Sequence, residues 1–442
     1  MPRTYPRVLI FSQPFNTVSG GGITLTNLFT AWPKDKIAVL SYPFMLKNIT
    51  TDICDTYYQI GNEELHWLFP FSIIKERYNS GPINPSAERL EPVRSKKRTI
   101  RSSLSSILVS PLMNWLDLVH VMSSIRISVR LEEWLLENKP DLLYYQISNR
   151  ESINFALRLI DHLKIPAVIH MMDDWPSTIC RNEIGKFFWA RKIDSEFRSL
   201  LSRLDLHLSI CDEMSSEYHR RYGYKFSPFH NSIDLKTWMP FVKKDVAPNP
   251  GTKVVLFSGR IGKGIEQSLF ELASAVDLLR LEGMDIILQI QSPRGDPDIL
   301  NRIKRYSSVT IPPPIAYDKI PELYSKADIL IIANDFSRAG IKFLKYSMPT
   351  KAPEYMISGT PVLVYASPET ALFKLFHENR CGHCVAIQNS NDLAKAVKLL
   401  LQDLSYRKTL SRNAVTYAIK NFDSRKIRHM FQTLLIQTAS RQ

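Results

Sequence analysis

The sequence predicts an α/β protein of two halves, each built on a largely parallel sheet. Three observations lead there. Short apolar runs alternate with helix-like stretches, the same pattern restarts near residue 254, and 442 residues are too many for one ordinary core but suit two domains with insertions.

In chain order, RVLIFS (Arg7–Ser12) is a short apolar run of the kind buried on both faces of a parallel sheet. A Ser/Gly loop, SGGG at Ser19–Gly22, is expected next, and then a helix over ITLTNLFTAW. IAVLSY (Ile37–Tyr42), DLLYYQ (Asp141–Gln146), PAVIHMMDD (Pro166–Asp174) and LDLHLSIC (Leu204–Cys211) read as further strands, with NFALRLIDHLK as a helix among them. A Pro-, Asn- and Lys-rich stretch around Val242–Lys253 marks a linker. Beyond it come VVLFSGR (Val254–Arg260), DIILQIQS (Asp285–Ser292), ADILIIA (Ala327–Ala333) and PVLVYA (Pro361–Ala366), each separated by a helical stretch. The expected division is a first domain over 1–225, a linker over 226–252, a second domain over 253–420 and a closing helix over 421–442.

Residues 61–139 interrupt the first domain, and 65–130 show no strand alternation. That stretch carries ten Lys/Arg against four acids, a net +6 within a chain of net +14. RSKKRTIR (Arg94–Arg101) is followed by Leu112, Trp115, Leu116, Val119 and Met122 at helical spacing. A polybasic run beside an apolar stripe suits an anionic membrane surface over 94–130; a solvated basic loop before a core helix fits equally. No apolar run approaches about 18 residues, and five cysteines do not form a disulfide framework. A cytoplasmic protein is expected, at most peripheral at the inner face of a membrane. Nucleic acid is not expected as a partner, since recognition motifs and stacking platforms are missing.

The most informative segment is SMPTKAPEYMISGTPVLVYA (Ser347–Ala366). A short helix should begin near Lys351 and end before Gly359, with Pro353 tolerated in its first turn. Free N–H groups, the helix dipole and Lys351 together make an anion site suited to a diphosphate. Glu354 can accept hydrogen bonds from ribose hydroxyls there, or be no more than a helix-start acid favoured by the dipole.

This segment resembles the donor-binding part of family 4 retaining GT-B glycosyltransferases. The resemblance implies two Rossmann-like domains with parallel sheets facing a deep cleft, and a nucleotide-sugar donor. It makes Glu354 the ribose ligand and puts Met348, Pro349, Thr350 and Lys351 at the phosphates or the donor sugar. The family usually has a second Glu eight positions earlier; this chain has Tyr346 there and resembles a branch with a Pro-Ser/Thr-Lys signature.

Other segments extend the likeness. SGGGITLTNLF is similar to the family's glycine-rich loop, where Gly21 and Gly22 would approach the donor phosphates closely because they lack a Cβ; a flexible loop is the plainer reading. VIHMMDDWPS ends a strand where open α/β sheets bind ligands. His170 there could contact the donor sugar or shuttle a proton, and Asp173 could orient an acceptor hydroxyl. Of the adjacent Asp173 and Asp174, only one should face the site, and a capping role suits either. HNSIDLKTW is similar to the family's crossover, or is a plain turn. In FSGRIGKGIEQSL, Arg260 and Lys263 fit a cationic pair that neutralises the diphosphate, or are solvated loop charges.

Two motifs mislead. CGHC (Cys381–Cys384) has the letters of a redox site, but a short strand follows it instead of the helix that would lower a thiol pKa. DPD (Asp296–Asp298) has the form of a metal-binding D-x-D, yet it lies at a helix start where an N-cap Asp is expected. No metal or cofactor is called for beyond a UDP- or GDP-sugar substrate. The expected reaction is sugar transfer to the hydroxyl of a glycan or lipid-linked acceptor, with retention, in surface polysaccharide or glycolipid synthesis. A non-catalytic partner subunit of the same fold, and a sugar-nucleotide epimerase or hydrolase, are the alternatives.

Overall fold

A computed structural model describes residues 5–68, 77–83, 120, 122–179, 183–262, 264–292 and 295–441. These residues form two compact units, one of Met1–His230 with Arg428–Gln442 and one of Asn231–Ile427.

The first unit holds an eight-stranded sheet. Its strands are β1 (Val8–Phe11), β2 (Ile37–Ser41), β3 (Thr56–Gln59), β5 (Gly81–Ile83), β7 (Leu142–Tyr145), β8 (Ala167–Met171), β9 (Leu206–Ser209) and β10 (Phe226–Pro228). The order is β10-β9-β8-β7-β1-β2-β3-β5, parallel throughout except for β3 against β5. All residues of β1, β2, β7 and β8 are buried, because helices cover both faces of a parallel sheet and leave no polar side to alternate with. A separate antiparallel pair joins β4 (Leu65–Trp67) to β6 (Ser123–Ile125).

The chain end completes this unit. Phe431 packs edge-on against Phe29, Tyr144 and Phe229. Gln432 Nε2 donates to the carbonyls of Leu28 and Thr30, which the end of the helix Gly20–Phe29 leaves open.

The second unit is a six-stranded parallel sheet of β11 (Lys253–Ser258), β12 (Ile286–Gln291), β13 (Val309–Thr310), β14 (Ile329–Ala333), β15 (Val362–Tyr365) and β16 (His383–Val385). Its order is β13-β12-β11-β14-β15-β16. Val255, Phe257, Leu288, Ile290, Ile329, Ile331 and Leu363 form its core with the helix Glu266–Leu281.

Three expectations change. SGGG is not a loop: Ser19 caps a helix that starts at Gly20, its hydroxyl accepting from the Gly22 N–H at 3.2 Å. Residues 65–130 do contain strands, but β4, β5 and β6 have three residues each, too few to show alternation. The first sheet also runs beyond β9 to β10, an edge strand where Pro228 costs no ladder bond. The stretch Arg94–Val119, with its polybasic run and most of its apolar stripe, lies outside the described residues. Among the described residues no helix is long and apolar enough to cross a membrane.

Candidate active site

In a doubly wound sheet, ligands bind beyond the carboxyl ends of the strands where the winding reverses. In the second unit that point lies between β11 and β14. The segment Gly259–Gly262 leaves β11 there, and Asn334–Ser337 leaves β14. The helix Lys351–Ser358 also begins at this edge, tied to the end of β11 through its side chains.

That helix starts without a side-chain cap, since Thr350 at its N-cap makes no such bond. The Ala352 N–H turns to the Pro349 carbonyl at 3.1 Å and Pro353 has no N–H, which leaves the Lys351 amide of this first turn for another partner. Asn231 Nδ2 donates to the Thr350 carbonyl at 2.8 Å and fixes the approach. Gly359 closes the helix at φ +75°, and a Cβ there would stand 2.9 Å from the Lys243 carbonyl oxygen, so glycine suits both backbone and packing.

Lys351 does not extend into solvent. Its ammonium donates to Ser258 Oγ at 3.0 Å and to the Tyr324 hydroxyl at 3.4 Å. Tyr324 also donates to Ser258 Oγ at 3.0 Å, and the Ser258 N–H donates to the Tyr355 hydroxyl at 3.0 Å. Burial pulls the Lys351 pKa down, and the Glu354 charge opposes that shift. Glu354 is 4% exposed. Its Oε1 accepts from the Tyr317 hydroxyl at 2.7 Å. Burial pushes its carboxyl pKa up, while Lys351 and the Tyr317 hydrogen bond pull it back. Met348 is buried, and Pro349 and Thr350 are half-buried.

Arg260 is exposed and makes no ion pair among the described residues; Lys263 lies outside them. Tyr346, in place of the family's first Glu, is half-buried with the Lys345 ammonium 5.7 Å from its ring centre.

In the first unit the winding reverses between β1 and β7. Ser12 ends β1 at φ +85°, a left-handed conformation rare for a side-chain-bearing residue. Gly21 and Gly22 both stand close to the turn after β1. A Cβ on Gly21 would lie 2.8 Å from Gln13 Oε1 and 3.5 Å from Gln146 Oε1, and one on Gly22 would run into the Asn16 side chain. Here the missing Cβ is used for close packing inside this unit.

His170 is 1% exposed, with Nδ1 2.6 Å from the Tyr144 hydroxyl. Burial pulls its pKa down to about 4, so the ring is neutral at ordinary pH. A proton shuttle to solvent does not fit that setting. Asp173 is half-buried. Asp174 turns inward, accepting from Arg221 at 2.8 and 3.1 Å and from the Tyr218 hydroxyl at 2.9 Å.

Asp174→Asn should therefore lower stability by about 2–3 kcal/mol, because it leaves the guanidinium with only Glu217 as a counter-charge. Urea denaturation checks this; a loss under about 0.5 kcal/mol would make the pair a surface-like one.

Sequence reasoning missed Tyr317, Ser258, Tyr324 and Tyr355. Tyr355 adjoins Glu354 and Ser258 sits in the quoted VVLFSGR, but Tyr317 lies 37 residues from its carboxylate and carries no motif. The two misleading motifs resolve simply. Burial pushes the Cys381 and Cys384 thiols up to about 11 and about 12, the reverse of a redox cysteine. Asp296 caps the helix Pro297–Ile303, accepting from the N–H groups of Asp298 and Ile299.

Residues 252–403 match the family model described as glycosyl transferases group 1. No curated protein matches the sequence. Among solved structures, HepE from Anabaena in complex with UDP-glucose is similar at a TM-score of 0.59 and 14% identity, over 98% of this chain and 100% of that one. Sucrose-phosphate synthase from Thermosynechococcus elongatus is similar at 0.58 and 14%, over 97% and 98%. WaaG, a glycosyltransferase involved in lipopolysaccharide biosynthesis, is similar at 0.53 and 13%, over 97% and 99%. The chain therefore has the GT-B fold of these structures, and its residues 252–403 match the glycosyl transferases group 1 model.

Proposed function

We propose that this protein transfers a sugar from a nucleotide-sugar to an acceptor hydroxyl, with retention of configuration. The observation that carries it is the start of the helix Lys351–Ser358: an uncapped N-terminus beside a buried carboxylate, at the carboxyl edge of a parallel sheet. Phosphate suits the amides and dipole; a ribose hydroxyl suits Glu354.

UDP is the first donor nucleotide to try, because HepE was solved with UDP-glucose, and GDP the second. In the reaction the bond from the anomeric carbon to the diphosphate breaks, the acceptor oxygen bonds to that carbon, and the acceptor proton passes to an oxygen of the departing diphosphate. Arg260, Lys263 and the amides of Met348, Thr350 and Lys351 would bear the charge growing on the diphosphate. Lys351 would act through its hold on Ser258, which fixes the turn carrying Arg260. Gly21 and Gly22 would set the turn after β1 for the donor, and Asp173 would orient the acceptor. His170, neutral and buried, is left a positioning role at the end of β8.

A glycan or lipid-linked acceptor in surface polysaccharide or glycolipid synthesis agrees with the chain's net charge of +14. The same balance agrees with work at the cytoplasmic face of an anionic membrane, reached through 94–130.

Thermal shifts with UDP, GDP, ADP and CMP test the donor site first. One nucleotide should raise the melting temperature by several degrees at 100 times its Kd, and its glucose conjugate should then release it on adding acceptor. Binding without any release, across an acceptor panel, would favour the non-catalytic subunit.

A further inference from the structure

Tyr317 has an unusual placement for an exposed aromatic side chain. The residue is 54% exposed, yet its hydroxyl reaches the carboxylate of Glu354, a residue only 4% exposed, at 2.7 Å. The backbone that carries it is stiff. Pro312, Pro313 and Pro314 precede it, Gln291 Nε2 holds the Pro313 carbonyl at 3.0 Å, and Tyr317 itself opens a 3₁₀ turn running into the helix Ile320–Lys326. An exposed tyrosine on a loose loop would swing through solvent; this one is delivered to one atom.

Glu354 has the complementary character. No other hydrogen bond reaches its carboxylate among the described residues, so Oε2 is left to accept from something else. A carboxyl group rotating freely about its last torsion would offer either oxygen in many directions. One oxygen fixed by a phenol at 2.7 Å fixes the direction of the other. The phenol also favours the ionised form, because it donates.

We propose that Tyr317 is the positioning residue of the nucleoside subsite: by holding Oε1 of Glu354, it presents Oε2, ionised, to a ribose hydroxyl. This rests on the reading of Glu354 as the ribose ligand. It adds a residue from a different loop, and it makes donor affinity depend on a hydroxyl that does not touch the donor.

The test is calorimetric binding of UDP, and of GDP in parallel, to the full chain as wild type, Tyr317→Phe, Glu354→Ala and the double variant, from pH 5 to pH 8. Tyr317→Phe should weaken the nucleotide about 10-fold at pH 7.5. It should also move the acid midpoint of binding to higher pH, because the ionised carboxylate loses its donor. A merely structural role would weaken binding equally at every pH. Glu354→Ala should weaken binding further, and adding Tyr317→Phe to it should change nothing more. If Tyr317→Phe keeps wild-type affinity and midpoint while Glu354→Ala loses binding, Tyr317 has no such role and the ribose reading stands. If Glu354→Ala binds like wild type, or neither nucleotide binds wild type, the ribose reading fails and takes this inference with it. The phenyl variant removes one oxygen and nothing else, so a melting temperature near wild type will show that it folds.

Discussion

Glu354→Ala should lower kcat/KM for the donor sugar by about 10- to 150-fold, the equivalent of roughly 1.5–3 kcal/mol for a hydrogen bond to a charged group. The same variant should make the unliganded protein more stable at neutral pH. Both effects come from one fact: a carboxylate held at 4% exposure with a single hydrogen bond, from Tyr317. Burial raises its pKa, so between the ordinary glutamate value and the raised one the folded chain binds more protons than the unfolded chain. Stability contributed by this group then falls as pH rises through that window, and the penalty is fully present above it. Alanine and glutamine both remove the slope. Melting temperatures at pH 4.5 and pH 8, with initial rates at pH 8, check the pair of effects. Lost activity together with raised stability is the signature of a residue kept for ligand binding. Lost activity together with lost stability would instead make Glu354 part of the scaffold.

The central strands were legible from sequence because their burial leaves no alternation to misread. VLIF, LLYY and ILIIA are continuous apolar runs, AVIHM is one interrupted only by His170, and each is a fully buried strand. The edges were not legible. The β10 segment FSP and the β5 segment GPI are three residues long and contain proline. They pair only because a sheet edge is already there to receive them. SGGG was misread because three glycines disfavour a helix by intrinsic propensity. The Ser19 cap and the close approach of Asn16 to Gly22 outweigh that preference.

At the site, local signals were readable and distant ones were not. The start of the helix at Lys351, its end at Gly359 and the inward carboxylate between them follow from residues within one segment. The burial of Lys351 against Ser258 and Tyr324 joins positions 93 and 27 residues away, and no spacing rule announces such a bond. Lys351, expected as a phosphate cation, is thereby placed one step behind the surface that Arg260 occupies.

Arg407→Ala should cost about 4–5 kcal/mol, the largest stability loss expected from one substitution in this chain. Arg407 is fully buried, the largest such side chain described. Its Nε donates to the Val246 carbonyl at 2.6 Å, and its two terminal nitrogens donate to the carbonyls of Leu400 at 2.7 Å and Asp328 at 3.1 Å. No carboxylate forms an ion pair with it among the described residues, and burial pulls its pKa down to about 10, with Asp328 opposing the shift. The guanidinium is thus kept for its fork of donors. It joins the segment before β11, the helix Ser390–Gln402 and the entry to β14. Asp328 extends the knot, accepting from the N–H groups of Asn249 and Val254 at 2.7 Å each. Alanine would strand three buried carbonyls, each costing about 1–3 kcal/mol when unpaired, and open a cavity, with partial relaxation recovering some of that loss. Lysine should be nearly as damaging, since one ammonium cannot span three acceptors set by a planar fork. Urea denaturation of wild type, Arg407→Ala and Arg407→Lys measures this directly. A lysine variant within about 1 kcal/mol of wild type would mean that charge alone suffices. A large loss in both variants would mean that geometry decides. β11 and β14 flank the winding reversal, so loosening their amino ends should also weaken the hold on Ser258 at the opposite end of β11, and with it the affinity for the donor.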